Sequence, residues 1–189
     1  PTERGLYWLD GEHARPVQVA GLAGDVVYSL DGRGETVWVG RQYGGLTRVR
    51  MTSAGPSATQ YTEKDGLAQD SVYVVHDPGD GTVWAGTLSG GVSHLRNGSF
   101  ETFTVTTGLV SNSVRAIDSH DGTMWFGTPD GVSRRSGGEW RSYRTRDGLP
   151  SNDGWTIDAS PYTVPGAPAF FIASLMPRRS SSPVLFARA

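Results

Sequence analysis

Thr36-Val37-Trp38-Val39-Gly40, Thr82-Val83-Trp84-Ala85-Gly86 and Thr123-Met124-Trp125-Phe126-Gly127 are one short motif written three times, with tryptophans 46 and 41 residues apart. A second landmark follows each tryptophan: Gly44-Gly45-Leu46, Gly90-Gly91-Val92 and Asp130-Gly131-Val132. Gly5-Leu6 reads as the same landmark from a copy without its front half. A third landmark precedes each copy: Gly21-Leu22, Asp65-Gly66-Leu67, Gly108-Leu109 and Asp147-Gly148-Leu149-Pro150, in steps of 45, 42 and 40 residues. Three landmarks recurring in one order define an internal repeat, and a repeat decides architecture before any single residue does.

Within one unit the pattern is short and β-like. Ser71–Asp77 is a continuous apolar and β-branched run, as in a strand covered on both faces. Pro78-Gly79-Asp80-Gly81 is a turn cluster, Thr82–Gly86 a second strand, and Leu88–Gly91 turns into a third over Val92–Arg96. Asn97-Gly98 is a hairpin signal, and Phe100–Val105 alternates like an outer strand with one wet face. Four short strands per unit, at this repeat length, describe the blade of a β-propeller. Trp38, Trp84 and Trp125 supply the large apolar group that packs one blade on the next, and Gly40, Gly86 and Gly127 complete the structural motif.

Composition agrees with this reading. Glycine is 26 of 189 residues, 37% of the chain is hydrophobic and 19% is charged. Ala167–Met176, the longest nearly apolar stretch, is interrupted by Pro168 and Ser174 and is shorter than the roughly 20 residues of a membrane helix. A net charge of −2 leaves no footprint for a nucleic acid. There is no cysteine, which excludes disulfide frameworks and thiol chemistry. Pro1 reads as an internal residue of something longer.

The expected fold is therefore all-β: an incomplete β-propeller of four-stranded antiparallel blades over residues 1–158, with repeat boundaries near 21, 66, 108 and 148. It holds about three and a half to four blades: the last two strands of one, two that read cleanly, one split at its Gly-Leu boundary, and one opening strand at Trp155-Thr156-Ile157-Asp158. After that strand the chain changes character. Residues 159–189 have no acid and no tryptophan, and are rich in proline, serine and arginine. Two readings of this tail stay open, an out-of-frame or truncated end and a genuine linker. An incomplete propeller leaves apolar blade faces open, so self-association is expected.

Asp65-Gly66-Leu67…Ser71-Val72-Tyr73, Gly81–Thr87 and Gly90-Gly91-Val92, with the third copy Gly108–Val114 and Gly122–Thr128, resemble the two-component regulator propeller repeat. The resemblance covers residues 5–158. It departs at Arg41, where the later copies have Thr87 and Thr128, and at Asp153-Gly154-Trp155, where Ser-Val-aromatic is usual. It implies a periplasmic ligand-sensing ectodomain of a bacterial membrane-bound protein, often a hybrid histidine kinase, that responds to oligosaccharides. Ligand on the channel face would then bias inter-domain geometry, and the rest of the sensor kinase would be the partner that transmits it.

Candidate ligand residues come from the loops that a propeller gathers around its channel. Asp25, Asp70, Asn112 and Asn152 occupy one position, four residues after the repeat's glycine. They suit either a ring that binds a sugar or cation, or an Asx-turn that bonds its own backbone, and the turn is the favoured reading. Positions that break the repeat are better ligand candidates. Three residues further on, the copies carry Tyr28, Tyr73, Arg115 and Trp155, and the first complete blade's loop adds Arg41 and Tyr43. Aromatic faces stack on sugars and guanidiniums donate to hydroxyls, although packing between blades also explains the aromatics.

Catalysis is not expected. His13, His76, His94 and His120 share no metal-ligand spacing, and His76 and His120 stand where inner strands end, as surface or turn residues. Asp77-Pro78-Gly79-Asp80-Gly81-Thr82 superficially resembles the Asp-box of sialidase-type propellers, with its tryptophan one place out of phase. Asp77, Asp80, Asp118 and Asp121 read instead as hairpin-turn residues. No nucleophile elbow, phosphate loop or zinc motif occurs, and no cofactor is expected. A protein-interaction propeller without a small ligand, and a carbohydrate-active enzyme propeller, remain the alternative readings.

Overall fold

A computed structural model describes residues 6–10, 12–19, 21–22, 24–149, 151–153 and 156–159. Strands β1 (Tyr7–Asp10) and β2 (His13–Pro16) form a hairpin. Blade 1 follows as β3 (Val27–Arg33), β4 (Thr36–Arg41), β5 (Leu46–Thr52) and β6 (Gly55–Tyr61). Blade 2 is β7 (Val72–His76), β8 (Val83–Thr87), β9 (Val92–Arg96) and β10 (Ser99–Phe103). Blade 3 is β11 (Ala116–His120), β12 (Thr123–Thr128), β13 (Gly131–Ser136) and β14 (Glu139–Tyr143). In each of the three four-stranded sheets the spatial order is the chain order, every pair antiparallel. The hairpin and three sheets make four blade-like units, and the propeller is not closed.

Local chemistry explains the strand ends. Asn97 and Gly98 both have positive φ, the geometry of a two-residue hairpin turn that matches strand twist. Asp77 Oδ1 accepts from the Gly79 N–H at 2.9 Å, and Asp80 Oδ1 from the Thr82 N–H at 2.9 Å, so these two are turn residues as expected. The Gly-Leu landmark lies in the middle of each loop that leads into an inner strand. Its leucine is the anchor: Leu22, Leu67 and Leu109 are all buried, each contributing about 1.5–3 kcal/mol.

The core lies between blades. Trp38 joins Val72, Val75, Val83 and Leu95 of blade 2, while Trp84 joins Ile117, Met124 and Phe126 of blade 3. The Trp84 ring lies 5.3 Å from Phe126. Gly86 makes this approach possible, since a Cβ there would come within 2.6 Å of Val74 and 2.8 Å of Val114. Across the ladder each tryptophan is covered by a flat cationic or imidazole side chain: Trp38 faces Arg48, Trp84 faces His94 and Trp125 faces Arg134. His94 stacks at 3.9 Å; the guanidiniums of Arg48 and Arg134 lie 5.9 and 5.8 Å from their indoles.

Two features differ from the sequence reading. Residues 156–159 carry no strand, and the sequence after them does not continue the Thr-x-Trp-x-Gly motif of a second strand. Ile157 and Ala159 nevertheless bury against Ala116, Trp125 and Val132. Asp118 is not a turn residue: it sits inside β11, where Oδ2 accepts the Ala159 N–H at 2.6 Å. Leu30 is 50% exposed, whereas its repeat counterparts Val75 and Ile117 are buried against a preceding blade. Trp155 and residues 160–189 lie outside the described residues.

Candidate functional site

The lead-in loops are built from the repeat's own polar residues. Asp65 caps its turn by accepting the Thr62 N–H at 2.8 Å, and Asp147 does the same for Arg144 at 2.9 Å. The Asx position then closes the loop. Asp70 Oδ1 accepts the Glu63 N–H at 2.8 Å, Asn112 Oδ1 the Val105 N–H at 2.8 Å, and Asn152 Oδ1 the Thr145 N–H at 2.7 Å. In all three the bond spans seven residues, so this is a clasp across the loop and not a local Asx-turn. The same residues also join blades: the Gly45 N–H donates to the Asp70 carbonyl at 2.8 Å, and that of Gly91 to the Asn112 carbonyl at 2.9 Å.

Blade 1 departs from this scheme. Asp25 Oδ1 accepts the neighbouring Val26 N–H, while Oδ2 takes the Tyr43 N–H at 3.3 Å and stands 3.9 Å from Arg41 Nη1. Arg41 is only 2% exposed and donates to the carbonyls of Gly21 and Gly44. In the later blades this position is a threonine whose hydroxyl donates to a nearby carbonyl, Thr87 to Gly91 and Thr128 to Gly131, both at 2.8 Å. Arg41 is therefore a buried brace of the Tyr43 loop, directly through the Gly44 carbonyl and indirectly through Asp25.

Tyr28 and Tyr73 come together. The ladder register slips at each of them, between Val27 and Ser29 in β3 and between Val72 and Val74 in β7. Such bulges re-aim a side chain. Their rings meet across the blade boundary with centroids 5.1 Å apart. Beside them an open groove of about 560 Å³ is lined by Tyr28 and Tyr43 from blade 1, and by Glu63, Gln69 and Asp70 from the next lead-in loop. Gln69 is fixed by a reciprocal pair of 2.9 Å bonds with Ser89. The Glu63 carboxylate accepts the Asp70 N–H at 3.2 Å, so both acids are tied to backbone. Among the described residues no lysine or arginine lines the groove. Its chemistry is aromatic faces, amides, hydroxyls and carboxylates.

The remaining candidates are elsewhere. Arg115 Nη1 lies 3.4 Å from Asp153 Oδ1, on the blade 3 side, while Asn112 and Asn152 serve other loops. The sequence reading missed Gln69 and Glu63, although both stand in the loop that carries Asp70. It also read His76 as a surface or turn residue. Its side chain is 14% exposed, with Nδ1 3.4 Å from Asp31 Oδ2 in blade 1 and Nε2 2.8 Å from Ser119 Oγ in blade 3. Among the described residues no three metal-ligating side chains converge, and no helix is long and apolar enough to cross a membrane.

No family model matches the sequence, and no curated protein matches it. Solved structures do. The extracellular domain of the putative hybrid two-component system BT3049 from B. thetaiotaomicron superposes with a TM-score of 0.70 at 18% identity, covering 81% of this chain and 22% of that one. The computationally designed Ika4 protein gives a TM-score of 0.53 at 16% identity, over 71% of this chain and 80% of the other. YCF48 bound to D1 peptide gives 0.51 at 12% identity, over 72% and 46%. The chain thus spans about a fifth of the length of the first of these neighbours. At these identities the likeness concerns the fold: the chain has the blade architecture found in the extracellular domain of a two-component system.

Proposed function

We propose that this chain is part of an extracytoplasmic, non-catalytic ligand-sensing propeller, and that its ligand is an oligosaccharide held in the Tyr28–Tyr43–Asp70 groove. The observation that carries this reading is the convergence, at one blade boundary, of Tyr28 and the repeat-breaking Tyr43 with fixed amide and carboxylate acceptors and, among the described residues, no basic side chain. Sugars need an apolar ring face together with acceptors for their hydroxyls, and that pairing lines the groove. Tyr73 backs Tyr28, so the stacking platform is braced from the next blade. The likeness to the extracellular domain of a two-component system supports the sensing role. Glu63 and Asp70 already accept backbone N–H groups, which favours binding over acid–base chemistry at this site.

Because the groove spans blades 1 and 2, bound ligand would tie them together, and that is the local event a sensor passes to the rest of a membrane protein. Calorimetric titration of a panel of neutral oligosaccharides tests the reading. Tyr43→Ala and Tyr28→Ala should each weaken a bound sugar about two- to tenfold, the worth of one aromatic contact. Unchanged affinity in both variants would remove the groove from the site.

A further inference from the structure

At the opposite end of the same strands lies a second groove, of about 390 Å³, between blade 1 and the turn that opens β8. Arg33, Arg48 and Arg50 line it, with Trp38, Asp77 and Thr82. The ladder brings the arginines together: Arg33 is opposite Thr36, Thr36 is opposite Arg50, and Arg48 is opposite Trp38. Alternation along β5 puts Arg48 and Arg50 on one face. Arg48 lies over the Trp38 ring, and its buried Nε has no hydrogen-bond partner. Asp77 is the one acid among the described lining residues; it stands 4.0 Å from Arg33 and already serves the Gly79 N–H. No described carboxylate is within ion-pair distance of Arg48 or Arg50.

The repeat shows that this is particular to blade 1. Counted from the landmarks, Arg33, Arg48 and Arg50 correspond to Pro78, His94 and Arg96 in blade 2 and to His120, Arg134 and Ser136 in blade 3. Three guanidiniums against one carboxylate leave a surplus of two positive charges in a partly enclosed space. A planar guanidinium placed over an indole face can still direct N–H groups to an acceptor beside the ring, and the guanidinium fork suits tetrahedral oxyanions.

We propose that this groove binds a doubly charged oxyanion, sulfate or phosphate, either free or as an ester on a larger molecule. It is separate from the tyrosine groove and does not depend on it. The test is calorimetric titration of the full chain with sodium sulfate, sodium phosphate and glucose 6-phosphate, with sodium chloride at matched ionic strength and glucose as controls. Saturable binding is expected for the oxyanions and none for either control. Arg48→Gln and Arg50→Gln should each weaken it about tenfold, the usual worth of a charged hydrogen bond, while Arg96→Gln leaves it unchanged. Tighter binding of glucose 6-phosphate than of phosphate supports an ester ligand; equal binding supports the free ion. Sulfate and phosphate behaving as chloride does, or full affinity retained in both Arg48→Gln and Arg50→Gln, overturns the proposal.

Discussion

Asp31 in blade 1 accepts the backbone N–H of Asp77 in blade 2 at 2.7 Å, so the inner strands of neighbouring blades are joined by a carboxylate as well as by packing. Blade 3 repeats the device, Asp118 accepting from Ala159. Between blades 2 and 3 the equivalent residue is His76, which bonds Ser119 while also facing Asp31.

This arrangement makes stability depend on acid. Burial alone would raise the Asp31 pKa; hydrogen bonds from His76, Asp77 and Gly32 outweigh it, and the carboxyl lies below its ordinary 3.8. A carboxylate with a depressed pKa adds stability above its unfolded value and loses it as pH falls through the folded one. His94 is displaced the same way for another reason: burial and then Arg135 push it below 6.5, partly opposed by Asp80 and Glu101. Its neutral form is the folded one, so stability falls as pH drops below about 6.5. Urea melts from pH 8 to pH 3 should show two declining limbs. His94→Gln should flatten the first and Asp31→Asn the second. A single limb unchanged by both substitutions would contradict this.

Trp84 is nearly fully buried, with rings from Phe103, Phe126 and His94 against it. Trp84→Ala should cost about 3–5 kcal/mol in denaturant melts. A loss under about 1 kcal/mol would place the side chain outside the blade interface.

The clasp at the Asx position predicts a structural phenotype. Asn112→Ala leaves the Val105 N–H without its acceptor and should cost about 0.5–1.5 kcal/mol, while Asn112→Asp keeps the oxygen and should cost less. Equal stability of wild type and Asn112→Ala would mean that the amide does not hold the loop.

Leu30 carries the prediction for assembly. Its counterparts in the later blades are covered, and it is not, so the chain should self-associate through this face. Light scattering should detect the association, and Leu30→Ser should reduce it. A stable, cooperative wild-type monomer would be the contrary result.

Blade order and turns were legible because glycine, asparagine and tryptophan each have few places in a small antiparallel sheet. The strands of blade 2 fall within a residue or two of those read from 71–105. The roles of polar residues were less legible, since a side chain's partner depends on tertiary direction. Arg41 broke the pattern and so looked like a loop ligand, yet it is buried on the carbonyls of Gly21 and Gly44. Asp118 and Asp77 occupy similar sequence contexts, but one lies inside a strand and reaches the next unit. A usable signal did exist for the stacked partners of the tryptophans: Arg48, His94 and Arg134 follow them by ten, ten and nine residues.

The central claim is that the tyrosine groove at the boundary of blades 1 and 2 is where ligand binds. Hydrogen–deuterium exchange with and without a bound oligosaccharide tests it most directly. The account predicts slowed exchange in 41–45 and 62–71, with 104–113 and 144–153, the corresponding loops of the later blades, unchanged. Protection confined to those later loops, with 41–45 and 62–71 exchanging as in the free protein, would contradict it.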